Sequence, residues 1–285
     1  MNNSNNEGIA SFFSDPDASD AIVLAANNIA APVVQGIGFE IDELSMGGGT
    51  RIVYFIIDAS PSMEPVAQAL RDCFTNDFVP AVRDARESDI SVLRIGGCVF
   101  SSGKPTPIWK GIENGRPVYF HTLDSLPGLT SVEYDPERGY GTSLHLAIIE
   151  GTATALRYAV DVQDETGTDP EVDIIILSDG ANNDAPRDPS EARKVIQGCD
   201  PTRVRHMFFY FDTSWGLPDA KTYATRDLGI SSEQVEEFLR RQGETDEDMA
   251  KRFRRMMAVM SRVSASRGTS VVVATAAVPD DDELV

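Results

Sequence analysis

Residues Arg51 to Asp58 read Arg-Ile-Val-Tyr-Phe-Ile-Ile-Asp, an unbroken apolar run where a half-exposed strand would alternate. A strand can be apolar on both sides only if both sides are covered, which is the situation of a parallel sheet between two layers of helices. Val172 to Leu177 and Val204 to Phe211 repeat the pattern, and Ser91 to Phe100 is a fourth strand candidate. Between these runs the spacing turns helical. Val66, Leu70, Phe74, Phe78 and Val82 recur every four residues, with Pro80 expected to kink this helix or to start a second piece. Leu144, Ile148, Ile149, Leu156 and Val160 mark a helix over 143–162, and 189–197 supplies another. Strand and helix alternating from 51 to 275 predict an α/β fold: a doubly wound, mostly parallel central sheet with helices on both faces.

The remaining segments are read more locally. Residues 101–122 suggest a hairpin turning at Asn114-Gly115. Ser231 with Gln234 forms a capping-box pattern that predicts a helix through Arg241. Thr245 with Asp248 opens a longer helix whose Met249, Phe253, Met256, Met257, Met260 and Val263 make one apolar stripe, and 270–274 is a last short strand. The expected organisation is an N-terminal extension over 1–49, one domain over 50–276 and an acidic tail over 277–285. Within the extension the first 20 residues read as disordered. Residues 20–30 read as a short helix, either packed on the domain or serving as a docking arm.

Asp and Glu outnumber Lys and Arg by 45 to 25 over 285 residues, a formal charge of −20. Such a field repels phosphate backbones and anionic lipid, so neither nucleic acid nor membrane is an expected partner. No apolar run approaches the roughly 18 residues of a membrane span, and no secretion-signal pattern opens the chain. Cys73, Cys98 and Cys199 are scattered and odd in number, which together with the missing signal points to a cytoplasmic protein. His121, His145 and His206 stand apart from one another and from the cysteines, so zinc is not expected; His206, inside a strand, reads as a satisfied core residue. Trp109 and Trp215 fall in loops, as partner contacts or as local packing.

In a doubly wound sheet, ligands bind beyond the carboxyl ends of the strands. Asp58-Ala-Ser60-Pro-Ser62-Met63 follows the first apolar run, Ser178-Asp179-Gly180 follows the run at 172–177, and Gly141-Thr142-Ser143 opens the helix at 143. Two carboxylates and several hydroxyls at such positions form an all-oxygen donor set, suited to Mg2+ or Mn2+. Asp58, Ser60 and Ser62 alternate, so a tight turn would aim all three at one point. The plainer alternative is a set of N-caps and turns that happen to use Ser, Thr and Asp.

The set D-x-S-x-S (Asp58, Ser60, Ser62), G-T (Gly141, Thr142) and S-D-G (Ser178, Asp179, Gly180), in that order at successive element junctions, resembles the metal-ion-dependent adhesion site of von Willebrand factor A (VWA) domains. The resemblance spans about residues 50 to 275. It implies a Rossmann-like sheet with one antiparallel edge strand, which agrees with the hairpin at 101–121. It further implies that Ser60 and Ser62 bind the metal directly, Thr142 directly or through water, and Asp58 and Asp179 mainly through water. Pro61, Met63, Tyr140, Gly141, Gly180, Ala181 and Asn182 would form the partner-binding rim. The final helix resembles that of bacterial intracellular members, which work with AAA+ ATPases or in multiprotein assemblies. The implied function is a non-enzymatic protein-interaction domain that takes an Asp or Glu of its partner as a further ligand of Mg2+ (or Mn2+). Two alternatives stand beside it: a metal-dependent phosphoryl hydrolase with Asp58 as nucleophile, and a structural subunit with a non-functional metal site. The hydrolase lacks an acid two residues after Asp58, where Ser60 stands, and the chain has no phosphate-binding G-x-x-x-x-G-K-[ST] loop.

Overall fold

The computed structural model describes residues 3–15, 50–80, 93–113, 116–122, 124–136, 140–180, 182–184, 188–212 and 219–238, with single positions at 20, 22, 23, 25, 251 and 255. The expected apolar runs are strands: β1 (Arg51–Asp58), β2 (Leu93–Phe100), β7 (Glu171–Ser178) and β8 (Val204–Phe211). A further strand, β9 (Val235–Phe238), pairs in parallel with β8. Among the described residues the sheet has seven strands, and its parallel part runs β2-β1-β7-β8-β9. In chain order that is second, first, third, fourth, fifth, a doubly wound arrangement whose direction of winding reverses between β1 and β7.

The antiparallel edge is built from two short strands lying along the outer side of β2. β3 (Thr106–Pro107) pairs with Cys98 and Val99, and β6 (Phe120–His121) pairs with Ile95 and Gly96. Between them β4 (Gly111–Glu113) and β5 (Arg116–Val118) make the expected hairpin around positions 114–115. Trp109 belongs to this edge by local packing. Its ring stacks on Phe74 at 5.1 Å, meets Phe55 edge-on at 6.2 Å, and its indole N–H donates to the Gly128 carbonyl.

All eight residues of β1 are buried, and their alternation feeds two cores. Val53, Phe55 and Ile57 face one layer with α2 (Glu64–Cys73), whose Val66 and Leu70 lie on its buried side, and with Phe74 just beyond its end. Ile52, Tyr54 and Ile56 face the other layer, formed by α3 (Leu144–Thr166) and α4 (Ser190–Gly198). Gly151 lets α3 approach the sheet, since a Cβ there would stand 2.6 Å from Ile56 Cδ1. The interruption expected from Pro80 takes the form of a wider π turn over Phe74–Phe78, just before the residue that has no N–H to give.

Two expectations are corrected. The capping-box pattern at Ser231 opens no long helix: Ser232–Gln234 is a single 3-10 turn, and the chain then extends as β9. Tertiary pairing decides this, because Val235 and Phe238 reach the sheet only when extended and both are buried there. The beginning of the chain is also ordered, with Asn3–Ala10 forming helix α1. Ile9 and Phe12 are buried in the α3 layer, the Arg203 guanidinium lies 3.8 Å over the Phe12 ring, and Asp200 N–H donates to the Phe12 carbonyl at 2.9 Å. Its polar composition hid two apolar anchors. Of the helix expected over 20–30, Asp20, Ile22, Val23 and Ala25 are helical, and Ile22 is buried in the same layer. The Met stripe, Trp215, the strand at 270–274 and the acidic tail lie outside the described residues, although Lys251 and Arg255 are helical. Among the described residues no helix is long and apolar enough to cross a membrane.

At the amino ends of the strands Asp173 is wholly buried, yet fully matched. Arg51 Nε donates to Oδ2 at 2.9 Å, and Arg205 grips both oxygens at 2.7 and 2.9 Å. His206, in the middle of the sheet, meets Thr152 Oγ1 at 3.0 Å, as a satisfied core histidine should.

Two outcomes follow from this packing. Phe12→Ala should cost about 3–5 kcal/mol in urea unfolding, the usual range for a buried phenylalanine. A loss near zero would show that the N-terminal segment does not belong to the domain's cooperative unit. Burial lowers the His206 pKa from 6.5 to about 3, so the fold holds the neutral ring while the unfolded chain takes up a proton below 6.5. Its contribution is therefore complete above that pH and is lost towards pH 3. Relative to His206→Gln, the wild type should lose up to about 1.4 kcal/mol per pH unit across that window, read from denaturation at successive pH values.

Candidate metal centre

β1 and β7 are neighbours and end side by side at the point where the winding reverses, which opens a crevice between their exits. Asp58 closes β1 with a wholly buried carboxylate. Its Oδ1 accepts the Ser60 N–H at 2.8 Å, folding the chain into a tight turn, and its Oδ2 accepts the Ser178 hydroxyl at 2.6 Å. One side chain thus sets both strand exits. The turn brings the Ser60 and Ser62 hydroxyls to 2.9 Å from each other, with Ser60 buried and Ser62 half-buried. Pro61–Met63 then forms a 3-10 turn leading into α2.

Burial pushes the Asp58 pKa up to about 7, and the negative charge of Asp179 adds to the shift. Hydrogen bonds from Ser178 and Ser60 oppose it. Asp179, immediately after β7, is equally buried. The third piece arrives through Gly141, whose φ of 62° is a left-handed turn that favours glycine, followed by buried Thr142.

The loop over 182–184 ties these pieces together. Asn183 Oδ1 accepts the Thr142 N–H at 2.7 Å, while the Thr142 carbonyl accepts N–H groups of Asn183 and Asp184. Asn182 Oδ1 takes the His145 N–H at 3.2 Å, satisfying a donor in the first turn of α3. The Asp184 carboxylate accepts the hydroxyls of Ser143, at 3.1 Å, and of Ser102. The sequence reading used Ser178 only as part of the S-D-G fragment and Ser143 only as a helix opening, and it gave Asn183, Asp184 and Ser102 no part. Asn-Asn-Asp placed just after a strand end was the available signal, since such residues cap helices and loops.

The chain therefore brings Asp58, Ser60 and Ser62 into one hydrogen-bonded group, couples Asp179 electrostatically to Asp58, and holds Thr142 in the adjoining loop. Of the expected rim, Tyr140 is 80% exposed, Pro61 is exposed, and Gly141 and Asn182 are half-buried. Met63 and Gly180 are corrected: both are buried, Met63 at 0% exposure within the α2 core, so neither offers a partner surface. Ala181 lies outside the described residues. The donor set is all oxygen, and among the described residues no three His, Cys, Asp or Glu side chains cluster. Hydroxyls beside two buried carboxylates match a hard divalent cation in donor type, and the two acids match it in charge.

No protein-family model matches the chain, and no curated protein is significantly similar to it. Solved structures are. The pilus adhesin SpaC of Lactobacillus rhamnosus GG aligns with 76% of this chain and 31% of its own, at 13% identity and a TM-score of 0.49. Proximal thread matrix protein 1 of the mussel byssus, with a zinc-occupied MIDAS motif, aligns over 74% of this chain and 46% of its own, at 13% identity and a TM-score of 0.37. Manganese-loaded TRAP protein of Plasmodium vivax aligns over 67% and 69%, at 13% identity and a TM-score of 0.35. The chain spans about a third to a half of the length of the first of these structures. The fold assignment rests on the strand order itself.

Because Asp184 holds two loops at the opening of α3, Asp184→Ala should lower stability by about 1–3 kcal/mol, the cost of leaving the buried Ser143 hydroxyl without its acceptor. Ser102→Ala should cost less, as it leaves the carboxylate bonded to Ser143. Urea unfolding of the two variants, with equal losses as the contrary result, decides between a tie point and a passive loop.

Proposed function

We propose that this chain is a VWA-type interaction domain, built over 50–276 behind an N-terminal extension, which binds a protein partner through a divalent cation. Ser60 and Ser62 hold the ion directly, Thr142 directly or through water, and Asp58 and Asp179 mainly through water. When bound, the ion, Mg2+ or Mn2+, supplies an electrophilic position for an Asp or Glu of the partner.

The observation that carries this reading is the convergence of the Ser60 and Ser62 hydroxyls at 2.9 Å beside a carboxylate whose two oxygens already accept Ser60 N–H and Ser178 Oγ–H. An Asp so occupied suits an outer role, orienting ligands and carrying charge, while the serines face the ion. Such a site keeps the ion strongly attractive to an incoming anion. Exposed Tyr140 and Pro61 flank the opening as partner contacts.

The reading is of a binding module, not an enzyme, because Ser60 stands where a phosphoryl hydrolase would need its acid. We place it in the cytoplasm, in a multiprotein assembly or with an AAA+ ATPase of a bacterial cell. Net charge of −20 accords with a protein partner in place of nucleic acid or membrane.

Titration calorimetry should show saturable Mg2+ binding by the wild type and at least about tenfold weaker binding by Ser60→Ala/Ser62→Ala, with the far-ultraviolet spectrum unchanged. Partners captured from native lysate with Mg2+ should be absent in EDTA. Recovery of the same proteins in both arms would falsify recognition through the metal.

A further inference from the structure

Tyr134 carries a hydroxyl that the fold buries without using. Its side chain is fully enclosed in the α2 layer with Met63, Phe74 and Leu129. The backbone is fixed on both sides: its N–H donates to the Thr130 carbonyl at 2.9 Å, and its carbonyl accepts Arg71 Nη1 at 2.9 Å. The hydroxyl itself has no hydrogen-bond partner among the described residues. A phenylalanine would fill the same space, so packing alone does not account for a polar atom whose burial is costly.

Tyr134 belongs to the same packed cluster as Ala59 and Met63, the residues that bracket Ser60 and Ser62, so its ring lies beneath the candidate centre. Besides burial, the charges of Asp58 and Asp179 both resist ionisation of this phenol, while Arg71 favours it. The hydroxyl therefore sits in the field of both acids of the candidate centre. It does not bond to Asp58, whose oxygens accept Ser60 and Ser178. A hard cation brings oxygen with it, because Mg2+ usually keeps several of its waters. Donors in the outer sphere then orient those oxygens.

We propose that Tyr134 is a positioning residue of the metal centre, its hydroxyl donating into the oxygen shell of a cation held by Ser60 and Ser62 between Asp58 and Asp179. The inference rests on the metal-site reading above. It assigns the loop over 129–136 a part in ion binding that none of the motif residues supplies. It also gives Tyr134→Phe opposite effects on the two states. In the metal-free protein the change removes an unpartnered polar atom, whereas in the loaded protein it removes a hydrogen bond.

The test compares wild type with Tyr134→Phe by thermal melting in EDTA and by calorimetric titration with Mg2+ alone. In EDTA the variant should melt at the same temperature or roughly 2–4 °C higher. Its Mg2+ affinity should be roughly three- to tenfold weaker, so that added Mg2+ raises its melting temperature less. A phenol that only fills space would leave the affinity unchanged, and that result overturns the inference while the metal site stands. A lower melting temperature in EDTA overturns it too, since the hydroxyl would then have a partner in the metal-free fold. A flat Mg2+ titration of the wild type instead brings down the metal-site reading itself, and the role of Tyr134 with it.

Discussion

The burial of Asp58 between the ends of β1 and β7 is the constraint around which the rest of this molecule is arranged. A carboxylate taken out of water must have each oxygen bonded, and here one takes the backbone of Ser60 and the other the hydroxyl of Ser178. The first bond makes the turn that aligns Ser60 with Ser62, and the second joins neighbouring strands at the crevice. Asp179, buried beside it, adds a second charge that the fold must tolerate. The loop through Asn183 and Asp184 then has little freedom, because it carries the framework for Thr142 and the start of α3.

The two ends of the same strands treat buried acid in opposite ways. Asp173, near the start of β7, is clamped by Arg51 of β1 and Arg205 of β8, so its charge is cancelled where it stands. Such a cluster is strongly disfavoured once one partner is removed. Asp58, near the end of β1, is held by the Ser178 hydroxyl and the Ser60 N–H, with another acid raising its pKa. The amino ends of the sheet thus carry an acid clamped by two arginines, and the carboxyl ends carry two buried acids whose charges oppose each other. An added divalent cation would do for the second what the arginines do for the first.

Much of this was legible in the sequence because burial on both faces leaves a direct signature. The run 51–58 could be read to the residue as β1, and 204–211 as β8, since a continuous apolar stretch has few other uses in a chain of this composition. The order of the motif fragments located the crevice for the same reason. What escaped notice depended on distant partners. Ser231 and Gln234 have the local pattern of a helix start, but Val235 and Phe238 are needed at the open side of β8, and the ladder outweighs the cap. Ile9 and Phe12 lie in a polar segment with no periodicity, and only Arg203, Asp200 and α3 make them core residues. Asn183 and Asp184 look like any turn until two other loops, at Ser102 and at Thr142-Ser143, are seen to bond to them.

Within Asp58 to Met63 the alternation that directs oxygens to the crevice also directs the intervening residues elsewhere. Ala59 and Met63 sit in the α2 core, while Pro61 is turned out to solvent. Met63 cannot be both the plug beneath α2 and a surface for a partner, and its complete burial shows which role the packing requires. The turn is held from below by Ala59 and Met63 and from within by Asp58, so Ser60 and Ser62 are positioned by groups that never face outward. A loop fixed in this way can present two hydroxyls at a set distance with little entropy left to lose when something binds them.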